Sequence, residues 1–169
     1  MPTIRKRRCF EEGHRRKMLV IVDESPEAEV ALFYTASRLE HADGVMTLFY
    51  VIEPEDQQHW MGVRDVQIEE ETNKAKALFR LFRRKLANAG FDGVPVEEVI
   101  RDGRKAEEIV KLIDEDEDIA ILVLGAATDA KGPGPLVSTF AAGKTAGTFP
   151  IPINIVPGGL TLDDLRALA

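Results

Sequence analysis

The residues best placed by type and spacing to do chemistry stand where two apolar runs stop. Met18-Leu19-Val20-Ile21-Val22 gives way to Asp23-Glu24-Ser25-Pro26, and the run Ile119 to Leu124 gives way to Gly125. A carboxylate at such a stop can accept hydrogen bonds from a ribose or a base. It can equally close a local turn onto the backbone N–H that follows, and for Asp23 both readings stand. After Gly125 the chain reads Ala126-Ala127-Thr128-Asp129-Ala130-Lys131-Gly132-Pro133-Gly134-Pro135, then Leu136-Val137-Ser138-Thr139. Gly132 and Gly134 remove side chains from a segment whose backbone N–H groups could face an anion. Ser138 or Thr139 would offer a hydroxyl near the start of the next helix, where negative charge is favoured. The competing reading is a rigid Gly-Pro-Gly-Pro turn that only feeds that helix.

No pattern in the chain reads as a catalytic constellation. His14, His41 and His59 are scattered, without ligand spacing or a partner nucleophile. Ser138 to Thr145 resembles a phosphate loop ending Gly143-Lys144-Thr145. Such a loop needs a strand before it and a helix starting at its lysine, whereas Leu136 to Ala146 reads as helix already. The acidic run Asp114 to Asp118 lacks the alternating ligands and central glycine of a calcium loop and reads as a solvated connection. No Gly-x-Gly-x-x-Gly follows the first strand, which disfavours a flavin or dinucleotide oxidoreductase. Turnover beyond slow, incidental ATP hydrolysis is not expected, because nothing in the sequence is marked to orient an attacking water.

These residues must be held by a scaffold, and composition bounds it. The chain has 169 residues, 44% hydrophobic and 30% charged, which suits one α/β domain with its own core. No apolar run approaches the length of a membrane span and no signal-like stretch follows Arg5-Lys6-Arg7-Arg8, so a cytoplasmic location is expected. Cys9 is alone and is given no role. Residues 1–17 carry seven Lys and Arg against two acids, leaving 15 basic against 27 acidic residues in the rest of the chain. An acidic body repels phosphate backbones, so nucleic acid is not expected as a partner except weakly through the basic tail.

Periodicity predicts the elements. After the first strand, Pro26 suits the first turn of a helix that Ser25 can cap, and Ala28, Leu32, Ala36 and Leu39 mark its buried face. Val45 to Val51 is a second buried strand, and the polar stretch to about Arg64, with His59 and Trp60, reads as a mobile loop. A long helix from about Asp65 to Ala89 buries Ala75, Leu78, Phe82, Leu86 and Ala89 before Gly90. Val94 to Ile100 reads as an edge strand because it contains Pro95. Ala106, Ile109, Val110 and Ile113 mark a short helix, and Ile153 to Val156 a last edge strand. The predicted layout is a basic flexible tail over 1–16, one domain over 17–159, and a short terminal helix or tail over 160–169. Alternating strands and helices with continuous apolar strands predict a doubly wound, five-stranded parallel sheet with helices on both faces.

Four segments resemble the universal stress protein family in order and spacing: Met18 to Pro26, Leu48 to Pro54, Asp102-Gly-Arg-Lys-Ala-Glu-Glu-Ile109, and Ile121 to Gly125. The resemblance implies strand order 3-2-1-4-5, a homodimer through the last edge strand, and, for many members, ATP between the first and fourth strands. By the same resemblance Val22, Asp23 and Val51 match positions that contact adenosine. The family's phosphate loop reads Gly, two residues, Gly, nine residues, Gly and then Ser or Thr. Gly125 matches its start, Thr128 stands where the second glycine belongs, and the closing Gly-Ser pair becomes Val137-Ser138, one residue early in the count, so that Ser138 matches its end. The implied ligand is ATP or another adenine nucleotide, with magnesium where a polyphosphate binds, ordering the 126–139 loop and so altering a dimer or partner surface. The alternative is a nucleotide-free dimeric interaction protein of the same fold.

Overall fold

The computed structural model describes residues 4–54 and 61–169. Its strands are β1 (Lys17–Ile21), β2 (Val45–Ile52), β3 (Val96–Asp102), β4 (Ile119–Ala126) and β5 (Ile153–Pro157). The helices are α1 (Pro26–Leu39), α2 (Met61–Asn88), α3 (Lys105–Glu115), α4 (Pro135–Phe140) and α5 (Leu162–Leu168). All pairings are parallel and the order is β3-β2-β1-β4-β5, as predicted. No helix among the described residues is long and apolar enough to cross a membrane.

The period of two in a strand divides the core into two layers. Met18, Val20 and Val22 face α1, α2 and α5, packing with Leu32, Phe79, Phe82 and Leu165. Leu19 and Ile21 face the other way, onto Ile109 and Ile113 of α3 and Val137 and Phe140 of α4. The β1–β4 register slips by one residue, Lys17 opposing Ile119 but Met18 opposing Ile121. That bulge lets Ile119 and Leu122, three positions apart, share the α3 side.

Several predicted boundaries move. Ala28, Leu32, Ala36 and Leu39 of α1 are all buried, as their spacing requires. Ser25 precedes Pro26 at the N-cap of α1 but makes no side-chain capping bond. Its hydroxyl donates to Asp23 instead. The predicted loop over 55–60, with His59 and Trp60, lies outside the described residues, and Met61 to Arg64 already belong to α2. Pro95 sits just before β3, where its carbonyl accepts from Met46 N at 2.9 Å, and β3 is an edge strand, paired among the described residues only with β2. α4 stops at Phe140 instead of running to Ala146, because Gly143 folds back so closely that a methyl on it would stand 2.6 Å from the Thr139 carbonyl oxygen.

The arm 4–16 and the acidic segment 114–118, both expected to be solvated, lie against each other. Arg7 Nη1 donates to the carbonyl oxygens of Ile113, Asp116 and Ile119 at 2.6, 3.0 and 3.1 Å, tying the last turn of α3 to the start of β4. Arg5 pairs with Asp114 and Glu117, Arg8 with Glu117, and His14 Nδ1 lies 2.8 Å from Asp118 Oδ1. Opposite charge at the amino end of β1 and the amino end of β4 is brought together because those strands are neighbours.

Candidate functional site

The strand order reverses between β1 and β4, so the carboxyl ends of these strands frame a crevice where doubly wound sheets take ligands. Asp23 and Gly125 both line it, but it encloses only about 60 Å³. The first turn of α1 is the reason. A methyl on Gly125 would overlap the carbonyl oxygen of Glu27, so glycine is required there by helix packing, whether or not a ligand binds.

More room lies one strand over. Val22, Asp23, Tyr50 and Val51 line a cavity of about 300 Å³ at the carboxyl ends of β1 and β2, closed on its outer side by Glu71 and Lys74 of α2 and by Lys105. Val22 is held by its N–H, which donates to the Phe49 carbonyl at 2.8 Å. Asp23 makes the local turn that its position allows, since its Oδ1 accepts from Ser25 N at 2.8 Å and from the Ser25 hydroxyl. Its carboxylate still lines both the crevice and the cavity.

The cavity wall is mostly negative, with Asp23, Glu24, Glu53 and Glu71 against Lys74 and Lys105. Tyr50 donates its hydroxyl proton to Glu71 Oε2 at 2.8 Å. Burial, the bond to Glu71 and the nearby charges of Glu71, Glu24 and Asp23 push its pKa above the ordinary tyrosine range, so it remains a neutral donor. Lys74 reaches Glu24 at 3.1 Å. That hydrogen bond, reinforced by the charges of Glu24 and Glu71, raises the lysine pKa and keeps it cationic. Lys105 Nζ lies 3.9 Å from Glu53 and is the one cation, among the described residues, that lines both spaces.

The remaining predicted residues divide. Gly134, at φ 106°, lines the narrow crevice. Thr128 lines a separate cleft of about 490 Å³ with Ser25, Glu27 and Asp129. Gly132, Ser138 and Thr139 line neither the crevice nor the cavity, and both hydroxyl residues are exposed on α4. Ser138 N donates to Gly134 O at 3.1 Å within the helix turn. Leu136 and Val137 occupy the crevice wall in their place. Thus Val22, Asp23 and Val51 are brought together, Gly125 and Gly134 meet Asp23 across a narrow gap, and the rest stand apart.

Sequence reasoning missed Glu27, Tyr50, Glu71 and Lys105. A signal existed for Lys105. It opens α3 at the carboxyl end of β3, the same edge of the sheet as Asp23, and it belongs to the Asp102–Ile109 segment already singled out. No group of three potential metal ligands occurs among the described residues.

Comparison with known proteins bears on this arrangement. A search of curated sequences finds no match. Among solved structures, the chain is similar to UspA from Lactobacillus plantarum, with 19% identity, a TM-score of 0.60, and 83% of this chain and 97% of that one covered. It is also similar to a universal stress protein family protein from Arabidopsis thaliana with AMP bound, at 18% identity, a TM-score of 0.55 and coverage of 84% and 91%. A third is a universal stress protein in complex with cAMP, at 14% identity, a TM-score of 0.54 and coverage of 83% and 96%. Identities this low speak to the fold alone. The family profile described as universal stress protein family matches residues 14–145. With that profile spanning most of the chain, and the 3-2-1-4-5 sheet beneath it, this protein belongs to the universal stress protein family.

Proposed function

We propose that this protein is an adenine-nucleotide-binding stress-response module whose ligand sits at the carboxyl ends of β1 and β2. The observation that carries the reading is the cavity of about 300 Å³ in which Val22, Asp23 and Val51 converge beside Lys105. Its volume is at the lower end of small-molecule sites, about 300–1,000 Å³. A planar base would lie against the Val22 and Val51 backbone, and ribose hydroxyls would donate to Asp23. Structural neighbours solved with AMP and with cAMP support the ligand class. Calorimetry on nucleotide-stripped protein with millimolar AMP, ADP and ATP is expected to show heat of binding for at least one of them. A flat titration with all three would end the proposal. A bound ligand that ordered residues 126–139 would shift the population of a loop touching α1 and β5, and would slow hydrogen exchange there.

A second reading is favoured by a different observation. Among the described residues β5 pairs only with β4, and its Ile155 is 44% exposed, leaving an open edge and an apolar side chain at the border of the sheet. Pairing of that edge with a second copy would make a homodimer whose surface, with or without nucleotide, meets partners in the cytoplasm. Sedimentation of wild type against Ile155→Lys tests it, with a dimer expected to become a monomer.

A further inference from the structure

The loop expected to hold phosphate has turned three of its N–H donors inward, onto its own acceptors. Ala127 N donates to Pro133 O at 3.0 Å and Gly132 N to Asp129 O at 3.1 Å. Lys131 N donates to Asp129 Oδ1 at 2.9 Å. Pro133 and Pro135 have no N–H to give. α4, only six residues long, adds little positive end. Charge points the same way. Glu27 lines both the narrow crevice and the 490 Å³ cleft beyond it, and its Oε1 is 3.9 Å from where Gly134 would carry a side chain. Asp129 lines the same cleft, and none of that cleft's described lining residues is cationic. A chain of phosphates leaving the β1–β2 cavity toward the loop would pass a gap of about 60 Å³ and then meet two carboxylates. The cations of the cavity wall are Lys74 and Lys105, and of these Lys105 also faces the crevice, where a first phosphate beside Asp23 would lie.

Resting on the nucleotide-binding reading, we infer that the site takes a nucleoside or nucleoside monophosphate and rejects the triphosphate, with Glu27 and Asp129 as the residues that exclude the outer phosphates. Like charges repel in water and more strongly near a protein surface, so ATP should bind about tenfold more weakly than AMP or adenosine, a difference of about 1.4 kcal/mol. Two levers should narrow that gap. One is Glu27→Gln, with Asp129→Asn as the variant that preserves the loop's acceptor if the first disturbs α1. The other is raised ionic strength on wild-type protein, which screens exposed charge without touching the sequence.

The experiment is calorimetric titration of adenosine, AMP and ATP into stripped protein, repeated for each variant and at two salt concentrations, with circular dichroism as the fold control. The expected result is adenosine and AMP bound, ATP weaker, and the difference reduced by charge removal and by salt. ATP binding as tightly as AMP would overturn the selectivity while leaving the nucleotide site intact. A difference unmoved by both variants and salt would overturn the role of Glu27 and Asp129. Silence from all three ligands would overturn the nucleotide reading itself, and this inference with it.

Discussion

Asp23 stands at the point where a structural and a ligand-binding role coincide. Its Oδ1 holds Ser25, yet its carboxylate walls the cavity, and substitution can separate the two. Ser25→Ala removes the hydroxyl donor and keeps the carboxylate, so adenosine affinity should be unchanged. Asp23→Ala should lower it by about 1.5 kcal/mol or more, the range for hydrogen bonds to a charged group. Equal effects of the two changes in calorimetry would assign Asp23 to the turn alone. Tyr50 gives a prediction in pH. Its folded pKa is raised, first by burial and then by Glu71, so the folded state holds its proton more tightly than the unfolded chain. The stabilisation is therefore complete below the unfolded value of about 10 and is lost as pH rises through the folded value. Lys17 also titrates upward. Burial opposes its charge, but bonds to Asp116 and Glu97 outweigh that. Comparing Tyr50→Phe with wild type isolates the tyrosine's share. Denaturant unfolding should show the wild type losing stability faster than the variant above about pH 10.

At the scale of elements, the contact of α1 with β4 decides how much space the crevice has. The family resemblance makes Gly125 the start of a phosphate loop. Its tertiary reason is the Glu27 carbonyl lying against it. Gly125→Ala should push α1 away and cost about 3 kcal/mol, at the upper end for overpacking a tight interior contact. Urea unfolding measures that loss. A cost below about 1 kcal/mol would mean that α1 yields easily and that the crevice is wider in solution than its 60 Å³. The α1 face was legible because buried residues recur at helical spacing, as with Ala28, Leu32 and Ala36, and α2 buries Ala75, Phe82 and Leu86 as predicted, but with Phe79 in the core and Leu78 and Ala89 only half-buried. Propensity alone carries α4 past Phe140, because helix-forming residues such as Ala141 and Ala142 follow it, but Gly143 turns the backbone. Local propensity there is overruled by packing of Phe140 against Phe149, whose ring centroids are 4.8 Å apart.

For the whole molecule, the basic arm and acidic body are one electrostatic unit and not two separate surfaces. The exposed pairs contribute little. The Arg5 and Arg8 side chains are 58% and 52% accessible, and such ion pairs are worth about 0–1 kcal/mol each. Arg7 is different, because its three carbonyl acceptors are partly buried and would lose their partner together. Removing residues 1–13 should destabilise the protein by about 2 kcal/mol, and Arg7→Ala alone should give most of that loss. For a chain of this size the change lowers Tm by about 4–8 °C, with little dependence on salt. Thermal unfolding at two ionic strengths checks it. A loss that vanishes in high salt would return the credit to the surface pairs.

The alternating elements and the two faces of the sheet follow from the sequence alone, because apolar runs of strand length and helical periodicity are local signals that burial enforces everywhere along the chain, while the strand order is what the resemblance of four segments to the family implies. Val22, Asp23 and Val51 belong to the same class, being strand ends that the topology must bring to one edge. What only the tertiary structure decided is the shape and charge of the space between them. Glu27 and Gly125, nearly a hundred residues apart in sequence, meet because β1 and β4 are adjacent. The glycines of the 126–135 loop promised room for phosphate, but a glycine only permits a conformation, and the loop's own hydrogen bonds chose which one.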